Sequence, residues 1–388
     1  MQYIIVVDDM GEGGAERAAH NLSNYLISEG NRVTFVFLKN YIIYPIHKDV
    51  EVLYLNEDFS TDRRLRTLFF YVPLKKIIKK YDAASTCVIA FNNVSSFLVG
   101  HFKKNNPAYT CIVSIQCSFT YFTTSWLKRR IIRPLMLYAY SQYDHILVVS
   151  ANIKNETTQF SFKDKVNVVV NPVDIKTIQQ KSQELVALKD NAHFKFINVG
   201  RFHPQKNQAI LIKAFALLNR RDISLYMVGQ GQLEMELLNL CKALGIEKQV
   251  HFVGLQLNPF QYLEQADCFL MSSDFEGFPN VLVEAMACGL PVISTDCPTG
   301  PREILSPKTL TTNSALKEGA VEYAEYGILV PTNDAVALSK AMFEVLNHAG
   351  IKEKYADKAF VRAQDFDVHR VFKNIEQLVQ TTHAERQS

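Results

Sequence analysis

Two carboxylates and two cations in the second half of the chain stand where their types and spacing could do chemistry. Glu276 and Glu284 flank a loop-to-helix junction in EGFPNVLVEAMACGLPVI, with seven residues between them. Gly277 and Pro279 shape the loop, and Asn280 is expected to cap the helix. The amides of the first turn would then be free to meet an anion. Glu284, just inside the helix, can accept two hydroxyl hydrogen bonds from a sugar ring. Glu276, ahead of the helix, could meet a second ring. The same spacing also suits an ordinary helix whose acidic first turn complements its dipole. Upstream, VGRFHPQKN at 199–207 places Arg201 and Lys206 after a strand and before a helix. Two fixed cations there can neutralise a diphosphate leaving group without a metal. Taken alone, that segment also reads as a solvated basic loop.

Other chemistry-bearing residues give less. Asp8-Asp9 ends the first apolar run and reads as a loop-shaping pair, so no metal site is assigned. The seven cysteines include no CxxC pair and no metal-ligand spacing. That pattern fits a reducing compartment better than a disulfide framework. No cofactor is expected.

Positioning the four charged groups requires a particular kind of scaffold. A chain of 388 residues exceeds one ordinary hydrophobic core and suits two. The first half opens with a strand at Tyr3–Val7, a glycine turn at Gly11–Gly14, and a helical stretch carrying Ala15, Ala18, Ala19, Leu22 and Leu26. RVTFVFL, TCVIAF, YTCIVSI and HILVVS follow as buried strands. The second half repeats the alternation with FKFINVG, SLYMVG, QVHFVG, DCFLMS and LPVIST, separated by helical stretches. Strands alternating with helices imply a parallel sheet covered on both faces. The join falls near Asn171-Pro172, where proline ends a strand. Expected boundaries are 1–172, 173–365 and a C-terminal helix at 366–388 that could pack back on the first domain. Two doubly wound α/β domains predict a ligand cleft at the carboxyl ends of their strands.

These motifs together resemble the retaining nucleotide-sugar glycosyltransferases of family four, which have the GT-B architecture of two Rossmann-like domains facing a cleft. The likeness rests on Gly-Arg…Lys-Asn at 200–207, VGQGQ at 228–232, the Glu–seven residues–Glu motif with AMACGLPVI, and TGPREIL at 299–305. GEGGAER at 11–17 and NPVD at 171–174 extend it into the first half. The resemblance implies that Arg201 and Lys206 hold the donor diphosphate and that Glu284 binds the ribose hydroxyls. It implies that Glu276 contacts the donor sugar, helped by the backbone of Gly277, Phe278, Asn280 and Val281. Gly13 and Gly14 should let the backbone approach the phosphates. His251 and Phe252 should pass the nucleobase. Transfer would use front-face attack, without a divalent metal, from a nucleotide sugar most often linked to UDP. Many relatives carry a histidine after the strand TCIVSI; this chain has Gln116, an acceptor-side candidate that can donate a hydrogen bond but cannot act as a base.

The net charge of +3 hides an asymmetry: from Ser60 to Leu135, thirteen Lys or Arg residues face two acids. Aromatic Phe69, Phe70, Tyr71, Phe119, Tyr121, Phe122 and Trp126 lie among them. Lys75, Lys76, Lys79 and Lys80 fall largely on one side of a helix, with Leu74, Ile77 and Ile78 turned inward. Lys128, Arg129, Arg130 and Arg133 form a second cluster. Basic groups near an anionic leaflet contribute about 1 kcal/mol each, enough in number for reversible docking. A solvated helical face over buried aromatics is the alternative. No nucleic-acid motif accompanies the charge. The N-terminus lacks signal-peptide features, and no apolar run approaches the ~20 residues that span a bilayer. A cytoplasmic protein, peripheral on the inner face of the membrane, is expected. Its acceptor would be a saccharide carried on a polyprenyl diphosphate.

Three other classes of protein share parts of this pattern. A nicotinamide oxidoreductase is disfavoured because GEGG does not complete G-x-G-x-x-G and Lys39-Asn40 offers no acid after the second strand. A nucleotide-sugar epimerase or phosphorylase shares the two-domain plan. A non-catalytic membrane scaffold would not need the set Arg201, Lys206, Glu276 and Glu284.

Overall fold

The computed structural model describes residues 1–11, 13–43, 45–55, 66–118, 126–184, 186, 192–310 and 315–387. Phe119, Tyr121 and Phe122 lie outside them, as do the side chains of Phe69, Trp126, Lys128 and Arg129. The chain forms two compact units, Met1–Pro172 with Val368–Ser388, and Val173–Asp367.

Unit 1 begins β1 (Gln2–Val7), α1 (Gly14–Ser28), β2 (Arg32–Phe37), β3 (Glu51–Tyr54), α2 (Arg66–Ile78) and β4 (Thr86–Phe91). It continues α3 (Asn93–Asn105), β5 (Thr110–Ile115), α4 (Trp126–Ser141), β6 (His145–Val148), α5 (Ala151–Glu156) and β7 (Val166–Val168). The strand order is β3-β2-β1-β4-β5-β6-β7, all parallel. The continuous apolar run Tyr3–Val7 is buried throughout, as a parallel strand covered on both faces must be. α1 buries Ala18, Ala19, Leu22 and Leu26 along one stripe and stops at Gly30, whose φ of 77° reverses the chain.

Unit 2 runs α6 (Ile175–Ser182), β8 (Phe194–Val199), α7 (Gln208–Leu217), β9 (Ile223–Val228), α8 (Glu234–Ala243), β10 (Val250–Gly254), α9 (Phe260–Leu263) and β11 (Cys268–Met271). It ends α10 (Asn280–Ala287), β12 (Val292–Thr295), α11 (Pro301–Leu305), β13 (Glu322–Tyr323), β14 (Ile328–Val330), α12 (Ala335–Asn347) and α13 (Ala349–Ala363). The order is β10-β9-β8-β11-β12-β14-β13, parallel except for the β13–β14 pair.

The last helix, α14 (Val368–Gln387), belongs to unit 1. Its stripe of Val368, Val371, Phe372, Ile375 and Val379 joins the core of that unit. Polar contacts fix its register: Tyr25 donates to Glu376 at 2.9 Å, His145 bonds Thr382 at 2.6 Å, and Arg386 pairs with Asp144 at 2.6 Å.

Each sheet reverses strand order once, between β1 and β4 in unit 1 and between β8 and β11 in unit 2. At such a reversal the two following loops diverge to opposite faces and leave a crevice beyond the strands' carboxyl ends. In unit 2 those two loops are Gly200–Asn207 and Ser272–Pro279, which carry Arg201, Lys206 and Glu276.

On unit 1, α3 packs against α2 and α4. Leu74 and Ile78 are buried, Ile77 and Lys75 are half-buried, and Lys76, Lys79 and Lys80 are exposed. α2 ends at Ile78, so Lys79 and Lys80 follow it in a turn instead of continuing the helical face. Val72, Ile132, Leu135 and Tyr138 are exposed, and Lys104 lies over the Tyr138 ring at 5.2 Å. Lys103 does not join this surface: it is buried, paired with Asp144 at 2.9 Å.

Candidate functional site

The loop after β8 is held by the turn that follows β9. Phe202 is fully buried, and its N–H donates to the Gln230 carbonyl at 2.9 Å. Gly229 has a φ of 145°, and a Cβ there would run into the Gly200 carbonyl oxygen, so only glycine lets the two segments approach this closely. The chain then makes a short turn at Pro204–Lys206 and enters α7 through Asn207, which is left-handed at φ 45°. Arg201 is exposed at the start of this loop. Gln208, at the first position of α7, donates to its carbonyl at 2.9 Å. Among the described residues the Arg201 guanidinium makes no ion pair.

The loop after β11 is fastened to the first by a ladder of contacts. Asp274 donates its N–H to the Gln205 carbonyl at 2.9 Å, and Gln205 Nε2 returns a bond to the Phe275 carbonyl at 2.8 Å. Ser272 Oγ donates to the Lys206 carbonyl at 2.8 Å, and Asn207 donates to Asp274 at 2.9 Å. This ladder brings Lys206 Nζ to 2.5 Å from Glu276 Oε1, which also accepts from Ser273 Oγ at 2.6 Å. Glu276 is 7% exposed, whereas the Lys206 side chain keeps 21% of its surface. The cation therefore faces open space while the acid is enclosed. Burial, with the Glu276 carboxylate next in weight, drives the neighbouring Cys297 thiol well above its ordinary range.

Pro279, not Asn280, is the N-cap of α10, and Asn280 is the first helical residue. Asn280 already has helical backbone, past the cap position, and Pro279 makes no side-chain capping bond, so no side chain caps this helix from the N-cap. Asn280 is 9% exposed and its Oδ1 is buried without a partner. Glu284 lies in the second turn of α10 and is 2% exposed. Phe278 is buried against Phe366, ring centres 5.5 Å apart, while Gly277 and Val281 are half-buried. His251 and Phe252 stand on β10, the edge strand beyond β9. The His251 ring lies 4.8 Å from Tyr226, and Phe252 meets Phe202 edge-on at 5.7 Å.

Gly13, Gly14 and Gln116 belong to unit 1. Gly13 is the N-cap of α1 and Gly14 its first residue. The Glu16 carboxylate folds back over Gly13 and accepts from Asn92 Nδ2 at 2.8 Å. Burial raises its pKa, with Asp9 and Asp8 adding to the effect. Asp8 accepts from the Ser95 N–H and hydroxyl at 2.9 and 2.6 Å and so caps α3; burial raises its pKa as well. Asp9 pairs with Lys39 at 2.9 Å and accepts from the Gly11 N–H. Among the described residues no group of three His, Cys, Asp or Glu could hold a metal ion. Gln116, at the end of β5, accepts from Asn171 at 2.6 Å and donates to Ser114 at 2.7 Å.

The structure thus joins Lys206 and Glu276 directly and sets Arg201 on the same loop. It adds Ser273, Gln205 and Asp274, to which residue types and spacing give no role, and shows Asn207, the end of the Gly-Arg…Lys-Asn segment, bonded to Asp274. Lys-Asn at the loop's end was the available signal, since asparagine tolerates the left-handed turn that α7 requires.

A doubly wound pair of units, with a cation and an acid meeting at the strand-order reversal of the second, is an α/β fold with a ligand-binding crevice. Comparison with known proteins narrows it. Residues 179–361 match the family described as Glycosyl transferases group 1, and residues 12–177 the family Glycosyltransferase Family 4. An uncharacterized glycosyltransferase of Methanocaldococcus jannaschii is 32% identical over 280 residues, 66% of this chain and 68% of that protein. The N-acetylgalactosamine-N,N'-diacetylbacillosaminyl-diphospho-undecaprenol 4-alpha-N-acetylgalactosaminyltransferase of Campylobacter jejuni is 28% identical over 380 residues, 95% of this chain and 97% of its own. Anabaena HepE in complex with UDP has the same fold, with a TM-score of 0.74 at 17% identity, covering 98% of this chain and 100% of its own. The apo form of the lipopolysaccharide outer core galactosyltransferase WaaB gives 0.69 at 21%, with the same coverage. The chain belongs to the glycosyltransferases of GT-B architecture.

Proposed function

We propose that this chain is a retaining glycosyltransferase that moves a hexose or N-acetylhexosamine from a UDP-sugar to a saccharide acceptor carried on a polyprenyl diphosphate, in surface-glycan assembly. The observation that carries the reading is the Lys206–Glu276 pair, 2.5 Å apart in the crevice where unit 2 reverses strand order. Lys206 and Arg201 neutralise the donor diphosphate, and their charge becomes more valuable as the bond from C1 to the phosphate oxygen breaks. Lys206 exchanges its Glu276 partner for phosphate, which frees the Glu276 carboxylate to accept from the donor sugar. Glu284 takes the ribose hydroxyls, and the backbone around Gly277, Phe278, Asn280 and Val281 closes on the donor. Attack comes from the face the diphosphate leaves, and the departing phosphate oxygen takes the acceptor's proton. The two cations do the work a divalent metal would do. On unit 1, Gly13–Gly14 is the backbone-approach element, and Gln116, fixed by Asn171 and Ser114, is the acceptor-side contact.

The related Campylobacter enzymes are named for undecaprenol-diphosphate acceptors, which supports a lipid-linked acceptor here. The exposed Val72, Ile132, Leu135 and Tyr138 beside Lys76, Lys79, Lys80 and Lys104 fit docking on an anionic leaflet. Among the described residues no helix is long and apolar enough to cross a membrane.

The test is thermal stability against UDP, GDP, ADP and NAD without added metal. A ligand at 100 times its Kd adds about 2.7 kcal/mol. A selective rise with UDP supports the reading, and a rise with NAD alone overturns it. Silence from all four leaves the fold and favours a non-catalytic scaffold.

A further inference from the structure

Thr299 is out of place by local rules. Its φ is 67°, in the left-handed region, where a β-branched side chain is an outlier and glycine is the natural choice. Its neighbour Gly300, at φ 93°, obeys the rule, since a Cβ there would run into the Pro279 ring. A residue in such a conformation persists where its surroundings over-determine it, and that happens most often at functional sites.

What threonine supplies is a hydroxyl. Thr299 is 5% exposed, and its Oγ1 donates to the backbone carbonyl of Glu276. The Glu276 N–H donates to the Pro298 carbonyl at 3.3 Å, so the loop after β12 grips residue 276 through both of its peptide groups. A second hydroxyl acts from the end of β12: Thr295 Oγ1 donates to the Ser273 carbonyl at 2.6 Å, and Ser273 Oγ in turn donates to Glu276 Oε1 at 2.6 Å. The Glu276 backbone is therefore gripped from the β12 side, and its carboxylate is held by Ser273, whose own backbone is tied to β12.

We infer that Thr299 is a positioning residue: its strained backbone is retained because its hydroxyl sets Glu276 where the donor sugar needs it. This rests on the reading that Glu276 contacts that sugar. Three variants separate positioning from packing. Thr299→Ser keeps the hydroxyl. Thr299→Val keeps the shape and loses it. Thr299→Gly loses it and relieves the backbone.

Turnover is measured as UDP released from UDP-galactose or UDP-N-acetylgalactosamine, whichever the unaltered protein hydrolyses faster. UDP binding is measured by calorimetry and stability by melting. Thr299→Ser should keep kcat. Thr299→Val and Thr299→Gly should lose kcat by roughly tenfold to a hundredfold, as small displacements of a reacting group do, with UDP affinity unchanged. Thr299→Gly should melt no lower than the unaltered chain, so that activity falls while stability does not. Full kcat in Thr299→Gly overturns the inference, as does a loss that follows the melting temperature across the three variants. Should Thr299→Val fail to fold, Thr299→Gly carries the test. Glu276→Gln distinguishes the two levels. Full kcat in Glu276→Gln sinks the Glu276 reading itself. Loss there with none in Thr299→Gly sinks only the positioning role.

Discussion

Replacing Lys206 by methionine keeps most of the side chain's bulk and removes its charge. Glu276 is then left, at 7% exposure, with the Ser273 hydroxyl at 2.6 Å and a long approach from Gln205 at 3.5 Å. Removing one partner of a fully buried pair costs about 3–5 kcal/mol. Lys206 keeps a fifth of its surface, so solvent can reach the site and roughly 1–3 kcal/mol is the expected range. For a unit of this size, each kcal/mol lowers the melting temperature by about 2–4 °C. Catalysis suffers more. A preorganised group that stabilises developing charge contributes about a hundredfold to a thousandfold in kcat. The expected result is a loss of that size, a melting point lower by several degrees, and recovery of stability but not activity in Lys206→Met/Glu276→Gln. The double variant matters because it removes the orphaned acid, so it separates the folding cost from the chemical one. Full turnover in Lys206→Met would refute the diphosphate role. Recovery of activity in the double variant would refute it too, because Lys206 would then serve only to neutralise Glu276.

Three further outcomes follow from unit 1 and the β9 turn. Burial raises the Glu16 pKa in the folded chain, so its favourable contribution is present below the unfolded value and is lost as pH rises through the folded one. Glu16→Gln should therefore gain stability relative to the unaltered chain between pH 4 and 8 in urea titrations; an advantage that shrinks with pH would contradict this. Burial lowers the pKa of both His145 and His383 from 6.5, with Asp144, Glu385, Lys165 and Arg386 as their charged neighbours. Their contribution is complete above that value and lost as pH falls toward the folded pKa, so hydrogen exchange in α14 should quicken on acidification, and less so in His145→Gln/His383→Gln. Gly229→Ala meets both a φ of 145° and the Gly200 carbonyl, so a loss of about 1–3 kcal/mol is expected, with weaker UDP binding; an unshifted melting curve would show that the turn can relax.

Much of this architecture was legible because parallel strands buried on both faces are unbroken apolar runs, as at Tyr3–Val7 and Phe194–Val199. The short edge strands β3 and β13 were not, since their half-buried sequences EVLY and EY carry no such run. At the site, residue types and element order singled out Arg201, Lys206, Glu276 and Glu284. Sequence could not say which acid meets which cation. Lys206 and Glu276 are 70 positions apart, and their contact depends on a backbone ladder between two loops. Asn280 has a strong capping propensity, yet the proline before it took the position. Thr299 is legible only as the first residue of TGPREIL, and its role is not, because its hydroxyl finds Glu276 only through a backbone conformation that threonine normally avoids. For the C-terminal helix, the sequence suggested packing back on the first domain but not which of its residues join that core.

That helix has a consequence for the order in which the chain acquires its structure during synthesis. Unit 2 is a continuous stretch, Val173–Asp367, inserted into unit 1, whose last element is α14. Domains fold as units when their sequence has left the ribosome. Unit 2 can thus close its core while unit 1, begun earlier, still lacks Val371, Phe372, Ile375 and Val379 from its own. Through the whole synthesis of unit 2, the first sheet carries an uncovered apolar flank. A nascent chain stalled in that interval would present chaperones and proteases with a first unit short of its closing helix. The segment made first is the one that matures last.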